Sequence, residues 1–178
     1  MDALLAIMAV ESHRARAYLV GEDLGTVEAG VRERMAEERI LSYRLLYFQP
    51  EPPVEYPVMA LAAITTHDLP TLRGLWTGSD VEDLRSLGLF PNADGYGHIR
   101  DRIRDLTATE PEASAETLIV RAHEELGRAP SVVVTATLDD AMAVAERPNI
   151  PGTVFERPNW CLALPRPIES LETETLPG

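Results

Sequence analysis

The chain has 178 residues, 45% of them hydrophobic, which is enough to bury one core but not several. Its formal charge is -13, from 29 acids against 16 bases, and every base is an arginine because the sequence contains no lysine. Such a surface repels nucleic acid and anionic membrane, so neither is expected as a partner.

The first residues, "MDALLAIMAVESHRAR", lack the basic start and cleavage site of a signal peptide, and no apolar run is long enough to span a bilayer. A cytoplasmic location is the default expectation. Residues 2–14 place Leu4, Leu5, Ile7, Met8 and Val10 at a spacing that predicts a helix with one broad buried face. The short apolar run "AYLV" that follows reads as a parallel strand buried on both faces. Thr26 can then cap a helix running through "VEAGVRERMAEER". "YRLLYF", residues 43–48, predicts the next strand, ended by the proline-rich "QPEPPVEYP". "ALAAITTHD", residues 60–68, repeats the pattern of a small apolar strand that ends in polar side chains. This alternation is the grammar of an α/β protein.

Past Pro70 the pattern turns helical. "SDVEDLRSLGLF" is expected to be capped by Ser79 or Asp80, "GHIRDRIRDLTA" follows, and "SAETLIVRAHEELGRAP" is capped by Ser114. "SVVVTATLDDAMA" predicts a β-branched strand over 131–136 and a short helix. The stretch from 145 to 178 is rich in proline and is expected to wrap a surface without regular elements. The single cysteine, Cys161, has no disulfide partner and no Cys or His neighbours at metal-ligand spacing, so it reads as structural or incidental.

Enzymes built on parallel strands keep reactive groups at the C-terminal strand ends, where the following loops converge. Glu22 and Asp68 stand at such ends, at a separation compatible with two strands flanking a third. Two carboxylates brought together in this way suit glycosidic chemistry, in which one assists the leaving oxygen and the other stabilises positive charge at the sugar carbon. Glu22 and Asp23 could equally cap the following helix, and Asp68 could cap "LPTLRGLW"; residue spacing leaves both readings open.

Four blocks in order, "GEDLGTVEAGVRERM", "YRLLYF", "YPVMALAAITTHDLPTLRGLW" and "RPNIPGTVFERPNW", resemble the C-terminal catalytic region of the 4-alpha-glucanotransferase family, also called amylomaltases or disproportionating enzymes. The resemblance covers almost the whole chain. It implies the C-terminal half of a (β/α)8 TIM barrel with helical insertions, so that residues 1–178 form one partial catalytic domain that is incomplete as a lone chain. It implies Glu22 as general acid/base, Asp68 as the carboxylate that holds sugar hydroxyls and stabilises the transition state, and His67 as a hydrogen-bond donor to the same glucose. Asp23, with Gly25, fits a turn-shaping role beside the substrate. Trp76 fits either sugar stacking or core packing, and Asn149 and Asn159 fit either a donor groove or loop-fixing hydrogen bonds. The implied partners are maltooligosaccharides and α-1,4-glucans, with no metal or organic cofactor.

The sequence departs from the family in one respect. The retaining mechanism needs a nucleophilic aspartate, which the family carries in an Arg-x-Asp-His block before the acid/base strand, and no such block is present. A complete barrel takes about 250 residues, so the shorter length agrees with that gap, and Met1 is then expected to be an internal methionine of a longer ancestral sequence. The expected function is 4-alpha-glucan transfer, with the isolated chain inactive. The alternatives are an inactive remnant or the glucan-binding half of a split enzyme completed by the missing N-terminal half of the barrel. A hydrolase using His67 and Asp68 as metal ligands lacks further ligands in the sequence.

Overall fold

The structure, a computed structural model, describes residues 2–172, so Met1 and the end of the proline-rich tail lie outside the described residues. Its frame is a parallel sheet of β1 (Ser42–Leu45), β2 (Ala60–Ala63) and β3 (Val133–Val134), in the order β1-β2-β3. Ser42 pairs with Ala60 and Leu61 with Val133, which fixes the register. Pairing hydrogen bonds run past the regular strands, since Leu46 N donates to Ala63 O at 2.9 Å and Thr135 N to Ala62 O at 3.0 Å. Ala60 and Ala62 are fully buried and Ala63 nearly so, and such small side chains let neighbouring elements approach the sheet closely.

Seven helices accompany the sheet among the described residues: α1 (Asp2–Ala15), α2 (Val31–Glu37), α3 (Leu72–Thr77), α4 (Ser79–Ser86), α5 (Ala93–Leu106), α6 (Ala115–Leu126) and α7 (Leu138–Ala141). Helices α3 to α6 all lie between β2 and β3, so one crossover carries the whole helical layer. In α6, Ala115, Leu118, Ile119, Ala122 and Leu126 are buried, the stripe expected of a helix with one face on a core. That stripe meets Leu72 and Leu75 of α3, Ile103 of α5, and Leu46, Tyr47 and Ile64 just past the strand ends. The core therefore sits against the C-terminal edge of the sheet. Helix starts follow local chemistry: the side chains of Thr71, Asn92, Ser114 and Thr137 each accept a backbone N–H from the first turn of α3, α5, α6 and α7.

Several sequence expectations change here. "AYLV" forms no full strand; it contributes one parallel bridge, Val20 to Leu41, and Tyr18 is 76% exposed. It lies at the sheet edge, so among the described residues one side has no strand to pair with. Helix α1 forms as expected, but Leu4, Ile7, Met8 and Val10 are exposed and nothing covers its apolar face among the described residues. Thr26 caps nothing: α2 starts at Val31 after Gly30, which holds φ at +87° and needs no side-chain cap. Likewise α4 starts after Gly78 at φ +77°, and Asp80 is buried in an ion pair instead of capping. "YRLLYF" stops at Leu45 because Phe48 N and Gln49 N both turn back onto Leu45 O. The strand expected over 131–136 contracts to Val133–Val134. From residue 145 the chain lacks helix and strand until a 3-10 turn at Ile168–Glu172. No helix is long and apolar enough to cross a membrane among the described residues.

The tail is seated on α3 by close backbone contact. A Cβ on Gly74 would lie 2.5 Å from Ala145 O, and Thr71 Oγ1 donates to that same carbonyl at 3.0 Å. Beside this contact Asp140, 2% exposed, accepts Leu72 N–H through Oδ1 at 3.0 Å, while its Oδ2 has no hydrogen-bond partner. Burial raises its pKa, opposed by the Leu72 bond and by the charge of His123. A raised folded pKa means that the folded chain holds the proton more tightly than the unfolded one. That contribution is complete below the unfolded value of about 3.9 and is lost as pH rises through the folded value. Urea unfolding of wild type and Asp140→Asn is expected to show the wild type losing ground to the variant as pH rises across that window; a pH-independent difference would contradict this account.

Candidate active site

The first strand end is built around an acid that does not face solvent. The chain leaves Val20 through Gly21, whose N–H donates to Leu41 O at 2.9 Å. A Cβ there would meet Met35 Cε at 2.4 Å, so the end of the Met35 side chain of α2 lies against the turn. Asp23 then turns inward with its carboxylate fully buried. Its Oδ1 accepts Tyr43 N–H at 2.8 Å, and its Oδ2 takes Arg32 Nε at 3.2 Å and Arg44 Nη1 at 3.5 Å. Arg32 Nη2 also donates to Asp23 O at 2.8 Å. Asp23 thus ties the loop to β1 and α2 through a carboxylate committed to these partners. Glu22, next to it, is exposed. Burial raises the pKa of Tyr43, and the negative charge of Glu22 raises it further. An open cleft of about 520 Å³ adjoins the loop, lined by Asp23, Leu24, Gly25, Arg44, Phe48 and Glu51 among others.

The second strand end presents its acid outward. After β2, Leu69 N donates to Thr66 O at 3.1 Å and Asp68 N to Thr66 Oγ1 at 3.3 Å, forming a tight turn. The Asp68 side chain is 43% exposed. Its Oδ1 accepts Asn149 Nδ2 at 2.6 Å and lies 3.2 Å from His67 Nε2. Arg147 Nη1 donates to Asp68 O at 2.7 Å, so Arg147 and Asn149, two residues apart, grip the backbone and the carboxylate of one aspartate. Arg147 is itself anchored: Nε donates to Asp80 Oδ1 at 2.7 Å, Nη2 donates to Asp80 Oδ2, and Nη2 also reaches Tyr96 Oη at 3.3 Å. Burial pulls the guanidinium pKa down, but the bonds to Asp80 and Tyr96 outweigh it and the net direction is up. Trp160 leans on His67, with ring centroids 4.9 Å apart.

The two ends share one edge of the sheet. Val20 bridges Leu41, which leads directly into β1, and β1 pairs with β2, so β1 lies between the Glu22 and Asp68 loops as the residue spacing suggested. Two strand spacings amount to about 10 Å. Glu22, an exposed carboxylate, and Asp68, one bonded to an amide and beside an imidazole, thus each follow one of two parallel stretches of the sheet. The remaining sequence candidates divide. Asn149 joins the Asp68 cluster. Asn159 takes the loop-fixing alternative, accepting Ile150 N–H and donating to Thr153 O and Oγ1. Trp76 takes the core alternative, packed on the α3–α6 core with Nε1 donating to Ala113 O at 2.8 Å. Nor does Asp68 cap the next helix, since Thr71 does. Among the described residues no group of three or more His, Cys, Asp or Glu could hold a metal ion.

Sequence reasoning missed Arg147 and Trp160. Arg147 was visible only as the arginine of "RPNIPGT" two positions before Asn149, and Trp160 only as the end of "RPNW". The side chains of Arg147 and Asp80 are 4% and 5% exposed, so removing one leaves an uncompensated buried charge. Either Arg147→Ala or Asp80→Ala is expected to lower the unfolding free energy by about 3–5 kcal/mol, measured by urea denaturation; a loss below about 1 kcal/mol, the range of exposed pairs, would contradict the burial argument.

Comparisons with known proteins give the family of the chain. The family model described as 4-alpha-glucanotransferase matches residues 1–168. A 4-alpha-glucanotransferase of Mycobacterium tuberculosis is 35% identical over 93% of this chain and 26% of its own length. One from Haemophilus influenzae is 32% identical over 94% of this chain and 27% of its own. The chain thus spans about a quarter of the length of these relatives. The crystal structure of amylomaltase from Corynebacterium glutamicum superposes with a TM-score of 0.85 and 28% identity, covering 98% of this chain and 30% of that one. Amylomaltase from Streptococcus agalactiae, solved in complex with acarbose, shares the fold at a TM-score of 0.53 and 16% identity over 79% of this chain and 26% of its own.

Proposed function

The chain belongs to the 4-alpha-glucanotransferase family, and from that premise we propose that it carries the acid/base and the stabilising carboxylate of a site that transfers α-1,4-glucan segments to the 4-hydroxyl of an acceptor glucan, in the cytoplasm. The observation that carries this reading is the parallel strand order, with Glu22 and Asp68 leaving the same sheet edge on either side of β1.

Glu22, exposed at the end of its strand, protonates the leaving glucosyl oxygen and later takes the proton from the acceptor 4-hydroxyl. Asp68, held by Asn149 and beside His67, accepts hydrogen bonds from sugar hydroxyls and stabilises positive charge at the sugar carbon. A carboxylate already oriented before substrate arrives needs little reorganisation as charge develops. His67 donates to the same glucosyl unit. Retention also needs a nucleophilic carboxylate, which on this reading is supplied by polypeptide outside this sequence, together with the other strands of a (β/α)8 barrel. The exposed apolar face of α1 and the open edge at Val20 support that, because strands and helices of a barrel would cover both.

The test is maltotriose disproportionation, by the chain alone and by the chain mixed with a polypeptide covering the remainder of a 4-alpha-glucanotransferase. Turnover is expected in the mixture, and Glu22→Gln is expected to lower it by about 10²–10⁴-fold, the range of general acid/base contributions, with glucan binding retained. Undiminished turnover in Glu22→Gln would refute the role of that residue. Glucan binding without turnover in the mixture would favour a binding role for the chain.

A further inference from the structure

Trp160 is held at the Asp68 cluster by bonds of its own backbone and of its neighbour, with most of its surface uncovered among the described residues. Its side chain belongs to a residue that is 65% exposed, and its backbone sits at φ +61°, a conformation costly for a bulky side chain. Two costs are therefore present at one residue: a large apolar ring in water and a strained backbone. Specific bonds impose them. Trp160 N donates to Pro148 O at 2.9 Å, and the preceding Asn159 is pinned to Ile150 and Thr153. Pro148 lies between the two residues that grip Asp68, so the indole is tied directly to the site. Phe90 and Phe155 are more exposed still, but the aromatic contact with the Asp68 cluster is the one between Trp160 and His67, at 4.9 Å and a tilt of 50°.

A pyranose has apolar C–H faces and a polar hydroxyl rim. The surface formed by Trp160, His67, Asp68 and Asn149 has the same division, an exposed indole face beside a carboxylate, an imidazole and an amide. We propose that Trp160, steadied by His67, is a stacking platform for a glucosyl ring of an α-1,4-gluco-oligosaccharide adjacent to Asp68. The ligand class rests on the functional reading above. The platform accounts for the strained, exposed indole, because an aromatic face that must meet a ligand has to be held out of the core.

The 178-residue chain would be titrated with maltoheptaose, following tryptophan emission and, independently, heat. Saturable binding with a change in emission is expected. Trp160→Asn, which suits the left-handed backbone, should weaken binding by about tenfold and abolish the emission change, whereas Trp160→Phe, which keeps a ring, should recover most of the affinity. Circular dichroism would verify that each variant is folded. Equal affinity in wild type and Trp160→Asn would overturn the platform while leaving the roles of Glu22 and Asp68 untouched. Tighter, Trp160-dependent binding of a β-1,4-linked gluco-oligosaccharide would keep the platform and overturn the α-1,4-glucan reading. A folded wild-type chain that binds neither sugar would also overturn the platform.

Discussion

The buried pair of Arg147 and Asp80 is the interaction on which the site depends. Two opposite charges with almost no exposed surface are costly to desolvate, and they persist only where geometry and additional hydrogen bonds compensate. Here they do. The planar guanidinium uses its fixed fork to meet Asp80 at two oxygens, Tyr96 at its hydroxyl and Asp68 at its backbone carbonyl. One side chain thereby joins α4, α5, the turn after β2 and the irregular tail. A lysine could not make those bonds at once, which fits a chain whose bases are all arginine.

The same division of labour appears at both strand ends. Asp23 and Asp80 are buried and committed to arginines, while Glu22 and Asp68, close to them in the chain or in space, stay accessible. Fixed inner acids hold the loops, so the outer acids can face a ligand without also holding the fold together. The arrangement fits a chain with an excess of acids, because the Asp23 and Asp80 carboxylates are neutralised locally by arginines.

How much of this was legible in the residues depends on the range of the interaction concerned. The helical stripe of α6 and its Ser114 cap were readable because both are local patterns. The parallel strand after Leu41 and the polar ends at Glu22 and Asp68 were readable from short apolar runs that stop abruptly. Strand lengths were not, since Leu45 O captures two N–H groups and ends β1 early, a contest decided by turn geometry. Asp80 looked like a helix cap because its partner lies 67 positions away. Trp76 and Asn159 had two readings each, and only their partners, Ala113 O and the Ile150–Thr153 loop, separate them. The two arginines that lock Asp23 were invisible for the same reason.

The most direct measurement is a crystal structure of the chain with a bound α-1,4-gluco-oligosaccharide. The account predicts one glucosyl unit with its hydroxyls on Asp68 and its ring against Trp160, and a glycosidic oxygen pointing toward Glu22 across the end of β1. A sugar bound to another face, with Glu22 and Asp68 both untouched, would contradict it.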